Sequence, residues 1–93
     1  VETNTFNANL IGLGEFGMAE KLEEINRQNI RIAKEVAARF ATPDRPRFVV
    51  GSVGPGTKMP SLTDPAIYID FETMAEAYRP QLRTMIEERV DAI

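Results

Sequence analysis

Between about Ala19 and Ala41 the apolar residues Leu22, Ile25, Ile32, Ala33, Val36, Ala37 and Phe40 recur at steps of three and four. Lys21, Glu24, Arg31, Lys34 and Glu35 fall mostly on the other faces. A stripe of that period predicts a long amphipathic helix with one side against a core. Thr42, Pro43, Asp44, Arg45 and Pro46 end it, because proline donates no amide hydrogen and pushes the preceding residue out of helical geometry. The pattern then changes. Phe48 to Val53 is a short apolar run without alternation, which predicts a strand covered on both faces, as in a parallel sheet between helices. Gly54 to Ile69, with Pro55, Gly56, Pro60 and Pro65, reads as a long loop at the carboxyl end of that strand, and loops of such length are commonly functional or disordered. Asp70 is the expected N-cap of a second helix, its carboxylate accepting an amide hydrogen near Glu72 or Thr73. Met74, Tyr78, Leu82, Met85 and Ile86 form its apolar stripe, and Pro80 predicts a kink or a broken turn between Glu76 and Pro80.

Val1 to Phe6 reads as the end of a strand, and Val90 to Ile93 as the beginning of another. The chain is therefore expected to be part of a larger repeating β/α protein. Strand, helix, strand, helix, strand is the order of an α/β fold with parallel pairing through right-handed crossovers. Unpaired strands with apolar faces seek partners, so the isolated chain is expected to self-associate.

Composition narrows the chemistry. With 93 residues, 43% of them hydrophobic and 27% charged, the chain has the make-up of one globular unit at most. The formal net charge of −3 comes with 11 dispersed basic residues, which argues against a footprint for nucleic acid or an anionic membrane. There is no Cys and no His, so disulfides, thiolate nucleophiles, imidazole acid–base catalysis and zinc or copper sites built on those side chains are excluded within these residues. No apolar stretch approaches the ~18 residues of a membrane span, and the default compartment is the cytoplasm.

Two motifs invite a functional reading. Gly12, Leu13, Gly14, Glu15, Phe16, Gly17 spell G-x-G-x-x-G ahead of a helix, the form of a dinucleotide-binding turn. The context is poor: only Leu10 and Ile11 precede the first glycine as apolar residues, and the next strand ends in Gly51, Ser52, Val53, Gly54 without an acidic residue for the ribose. Glycines that serve a loop turn and a helix entry are the alternative. The second motif is Glu2, Thr3, Asn4, Thr5, a carboxylate, an amide and two hydroxyls where a strand would deliver its carboxyl end. Such a set suits a zwitterionic ligand such as an amino acid, or it caps the turn by bonding backbone groups.

ETNTF at Glu2 to Phe6, AEKLEEINRQNIRIAKEVA at Ala19 to Ala37, RFVVGSVGP at Arg47 to Pro55, and FETMAEAYRPQ followed by VDAI resemble, in order and over essentially the whole chain, the homocysteine-binding domain of the cobalamin-dependent methionine synthase family, the homocysteine S-methyltransferases. The resemblance implies a fragment of a (β/α)8 TIM barrel. It would run from the end of strand 2 to the start of strand 4 over residues 1–93, about a third of the ~250 residues typical of that fold. It implies a methyltransferase parent. In that family a zinc ion held by three cysteine thiolates activates homocysteine, and the methyl group comes from methylcobalamin replenished by methyltetrahydrofolate. The cobalamin-binding and folate-binding domains of the parent would be partners. The zinc cysteines would lie outside this chain, which by itself would bind no metal and catalyse nothing. The same pattern places Glu2, Thr3, Asn4 and Ser52 next to the substrate. Two positions depart from it: Pro80 replaces a helix-compatible polar residue, and Glu88 and Arg89 stand where Gly-Gly commonly ends the last helix. Loss of a glycine there should burden the turn that follows.

Overall fold

The computed structural model describes all residues 1–93. Three α-helices carry the fold: α1 (Leu10–Gly14), α2 (Leu22–Phe40), entered through a 3-10 turn at Ala19–Lys21, and α3 (Phe71–Glu87). Asn9 starts α1, its side-chain oxygen accepting from the amides of Ile11 and Gly12, both at 3.0 Å. Asp70 starts α3 as expected, accepting from the Thr73 amide at 2.9 Å. Hydrogen bonds from the Thr73 hydroxyl and then the Thr73 amide hold the Asp70 carboxyl below its usual pKa. The helix α2 ends at Phe40, where Thr42 and Arg45 exchange backbone hydrogen bonds across the proline-containing turn.

The expected α/β fragment of a (β/α)8 barrel, built of strand–helix units, is not what forms. The structure is 47% helical with 8% in bridges, and it contains no sheet. The ladder pairings among Val1–Phe6, Phe48–Gly54 and Val90–Ile93 are isolated parallel bridges, Glu2 to Val50 and Val50 to Ala92. Side chains take the bonds that would lengthen these ladders. Beside the Val50 rung, where its amide donates to Val1 and its carbonyl accepts from Thr3, the next amide, of Ser52, donates to the Thr3 hydroxyl at 3.0 Å. The Ser52 carbonyl accepts from the Thr5 hydroxyl at 2.8 Å. On the other side the Val49 amide donates to the Asp91 carboxylate at 2.7 Å. Threonine and aspartate side chains can stand in for backbone partners in this way, and a ladder that loses its main-chain partners stops.

The long helix expected from periodicity is present, but its buried line runs through Leu22, Asn26, Ile30, Ala33 and Ala37, leaving Ile32, Val36 and Phe40 exposed. On α3 the buried residues are Ala77, Gln81, Thr84 and Met85, and Ile86 is exposed. The buried line of each helix thus mixes apolar residues (Leu22, Ile30, Met85) with small and polar ones. The run at Phe48 to Val53 is unevenly covered: Val49, Gly51 and Ser52 are buried, while Phe48 and Val50 are open. Helix α3 is unbroken across Pro80, so the broken turn is not formed. The Thr84 hydroxyl donates to the Pro80 carbonyl at 3.0 Å.

The end of α3 carries the departure from glycine noted above. The Arg89 amide donates to Ile86 and the Val90 amide to Met85, the paired bonds of a Schellman C-cap. Arg89, at the position such caps give to glycine, has φ 53°, the one non-glycine residue in the left-handed region. Its neighbour Glu88 ties this turn to α2. The Glu88 carboxylate accepts from Arg27 at 2.7 Å and from Arg31 at 3.0 and 3.1 Å, and the Lys34 ammonium donates to the carbonyls of Glu88 and Arg89. Bonds from Arg31 first and Arg27 second hold the Glu88 carboxyl below its usual pKa. Arg27 is shifted upward, chiefly by its bond to Glu87 and then by that to Glu88.

Candidate functional site

The polar residues of the first segment lie against Ser52 because the Glu2–Val50 bridge sets their register. Along an extended chain successive side chains alternate, and they do so here: Thr3 and Thr5 are buried, while Glu2 and Asn4 are open. The Glu2 carboxylate accepts from the Ser52 hydroxyl. Thr3 is 3% exposed, and its hydroxyl is shared with Thr5 at 2.7 Å while accepting the Ser52 amide. The Thr3 hydroxyl is therefore engaged within the protein, where it fixes Ser52. The side chain of Asn4 is exposed. The structure thus brings Glu2 and Ser52 into direct contact, supports both with Thr3, and leaves Asn4 beside them in solvent.

Gln81 is the residue that sequence reasoning missed. It was left out of the apolar stripe of α3, yet it is fully buried, and its amide nitrogen donates to the Thr5 carbonyl, fixing the backbone after the cluster. Asn26 does the same one turn later, donating to Ala8 at 2.7 Å as well as to Leu22 in its own helix. Amides in the middle of otherwise amphipathic helices, in line with apolar residues at i+4, were the available signal.

The glycine motif has a structural explanation. Gly12 and Gly14 lie inside α1 rather than in a strand-to-helix turn, and Gly17 follows with φ 67°. A Cβ on Gly12 would run into the backbone carbonyl and side chain of Asn7, whereas one on Gly14 would meet nothing. Close approach to Asn7 and a left-handed turn account for two of the three glycines, and the dinucleotide reading finds no support.

Glu2, Thr3, Thr5 and Ser52 thus form one hydrogen-bonded cluster, with the Asn4 amide exposed beside it. Over residues 1–93 the chain matches the family model of homocysteine S-methyltransferases, and it belongs to that family. It is similar to methionine synthase of Mycobacterium leprae (strain TN), with 38% identity over 93 residues, which is 100% of this chain and 7% of that protein. Methionine synthase of Mycobacterium tuberculosis (strain ATCC 25618 / H37Rv) is likewise 38% identical over 93 residues, 100% of this chain and 8% of that protein. The chain thus spans less than a tenth of the length of these curated relatives. The zinc that the family resemblance implies does not fit the residues present. Zinc at such sites wants thiolate or imidazole ligands, the chain has neither Cys nor His, and no three acidic residues converge. No helix is long and apolar enough to cross a membrane.

Proposed function

We propose that this chain supplies part of the homocysteine-binding surface of a cytoplasmic methionine synthase, whose parent protein transfers a methyl group to homocysteine to give methionine. The observation that carries the reading is the contact between Glu2 and Ser52 across the bridge, in a chain that matches the family from end to end. The Glu2 carboxylate receives the substrate ammonium group, and the Asn4 amide donates to the substrate carboxylate. The Ser52 hydroxyl bonds either end of the zwitterion. Thr3 and Gln81 act through these groups by holding the backbone on which they stand. Zinc, cobalamin and the folate-binding and cobalamin-binding domains are contributed by the parent outside these residues, so the segment alone is inactive.

The test is a nitrogen-15 NMR titration of the chain with reduced L-homocysteine. Weak, saturable shifts confined to residues around Glu2, Asn4 and Ser52 are expected, and their loss in Glu2→Gln. Shifts confined to the Gly12–Gly17 region, or none at substrate-saturating concentration, would refute the assignment. Calorimetric titration with zinc alone should show no tight stoichiometric site.

A further inference from the structure

Phe6 follows the polar cluster directly, and Gly54 decides where its ring lies. The Gly54 amide donates to the Phe6 carbonyl at 2.8 Å, and the Tyr78 hydroxyl of α3 donates to the Gly54 carbonyl at 3.0 Å. The backbone at Gly54 does not call for glycine, since the glycine in the left-handed region is Gly17. Space does: a Cβ at Gly54 would run into the Cζ and both Cε atoms of Phe6. The far edge of the ring therefore rests where a side chain at position 54 would project. Ser52 stands two residues earlier, and its hydroxyl meets the Glu2 carboxylate. In an extended run residues i and i+2 point to the same side, and their Cα atoms are at most about 7 Å apart. The first segment agrees, with Glu2, Asn4 and Phe6 open and Thr3 and Thr5 buried between them. Carboxylate and ring thus flank the Ser52 hydroxyl.

We infer that the Phe6 ring, seated on Gly54, is the specificity-determining wall of this site: it lies along the side chain of the bound amino acid and selects sulfur over oxygen at its end. The inference rests on the homocysteine reading of Glu2 and Ser52 and adds to it the group that recognises the thiol end. With the substrate ammonium at Glu2 and Ser52, bond lengths put the sulfur of an extended homocysteine about 5 Å away, within the distance that separates Ser52 from the ring. Sulfur is polarizable and makes favourable contacts with an aromatic ring at about that separation. A hydroxyl in its place gives up hydrogen bonds to water against a ring that offers none in return. The cluster has no spare hydroxyl proton to satisfy it. Thr5 donates to the Ser52 carbonyl, so the proton between the two threonines is that of Thr3, and Ser52 donates to Glu2.

NMR titrations of the full chain with reduced L-homocysteine and with L-homoserine test both ends of the site. In the wild type, amide shifts at Glu2 and Ser52 are expected with either amino acid, together with nuclear Overhauser effects from the Phe6 ring to the homocysteine γ-methylene. The Kd for homocysteine should be about three- to tenfold lower than that for homoserine, the range of one sulfur–aromatic contact. Phe6→Ala should keep the shifts at Glu2 and Ser52 and bring the two Kd values together. Gly54→Ala, which displaces the ring without removing it, should do the same. Should Phe6→Ala disturb the fold, Phe6→Leu keeps an apolar group over Gly54 without the aromatic face and should also lose the preference. Shifts at Glu2 and Ser52 with an unchanged preference in the Phe6 variants, or with no contact between ring and ligand, overturn this inference alone. Absence of those shifts with homocysteine overturns the homocysteine reading, and this inference with it.

Discussion

Replacing Arg89 with glycine should stabilise the protein. Arg89 is held at φ 53° by the bonds that close α3, Arg89 to Ile86 and Val90 to Met85, and an L-residue in this conformation is strained by roughly 1–2 kcal/mol because its Cβ crowds the following carbonyl. Glycine has no Cβ, but its unfolded chain is freer, which offsets about 0.5–1 kcal/mol of the gain. The net expectation is a gain of roughly 0.5–1 kcal/mol, or about 2–8 °C in Tm for a chain of this size. The Arg89 side chain is exposed and makes no ion pair, and the Lys34 bonds in this turn go to backbone carbonyls, so neither is lost. Arg89→Ala is the control, since it removes the same charge and keeps the Cβ strain. Urea unfolding followed by circular dichroism should rank glycine above both arginine and alanine. Equal stability of the glycine and alanine variants, or a loss on Arg89→Gly, would refute the account of this cap.

The Glu88 carboxyl has a folded pKa lowered by Arg31 and Arg27. Its contribution is therefore complete above the ordinary carboxylate pKa and is lost as pH falls through the lowered value. Urea midpoints measured below about pH 5 should fall more steeply for the wild type than for Glu88→Gln. Gly12→Ala should cost about 1–3 kcal/mol, because its methyl meets the Asn7 backbone. Gly14→Ala, in open space within α1, should be neutral or stabilising by up to about 1 kcal/mol; equal effects at the two positions would count against the packing explanation of the motif. Asn9→Ala removes the cap of α1 from a fully buried site and should cost about 1–2 kcal/mol in the same assay.

Local rules were legible in the residues themselves. The period of Leu22 to Phe40, the prolines at 43 and 46, and the cap at Asp70 fixed where helices begin and end, because each acts through its own few neighbours. The burden at Glu88 and Arg89 was likewise visible as a missing glycine, and it became a positive φ. The family resemblance was carried by the order of short motifs along the whole chain, and the family match bears it out. Tertiary structure decided the rest. Whether Val1–Phe6 and Phe48–Val53 become strands depends on which acceptors face their amides. The Thr3 and Asp91 side chains took the amides of Ser52 and Val49, and the Thr5 hydroxyl donated to the Ser52 carbonyl, leaving isolated bridges where a sheet was expected. Which stripe of each helix is buried depends on what packs against it, and the backbone carbonyls of Ala8 and Thr5 drew in Asn26 and Gln81 while Ile32 and Ile86 stayed exposed. Glu2, Thr3, Asn4 and Ser52 were singled out through the family resemblance. The engagement of the Thr3 hydroxyl and the support from Gln81 depend on groups about fifty to eighty positions away, which a reading of neighbours along the chain does not reach.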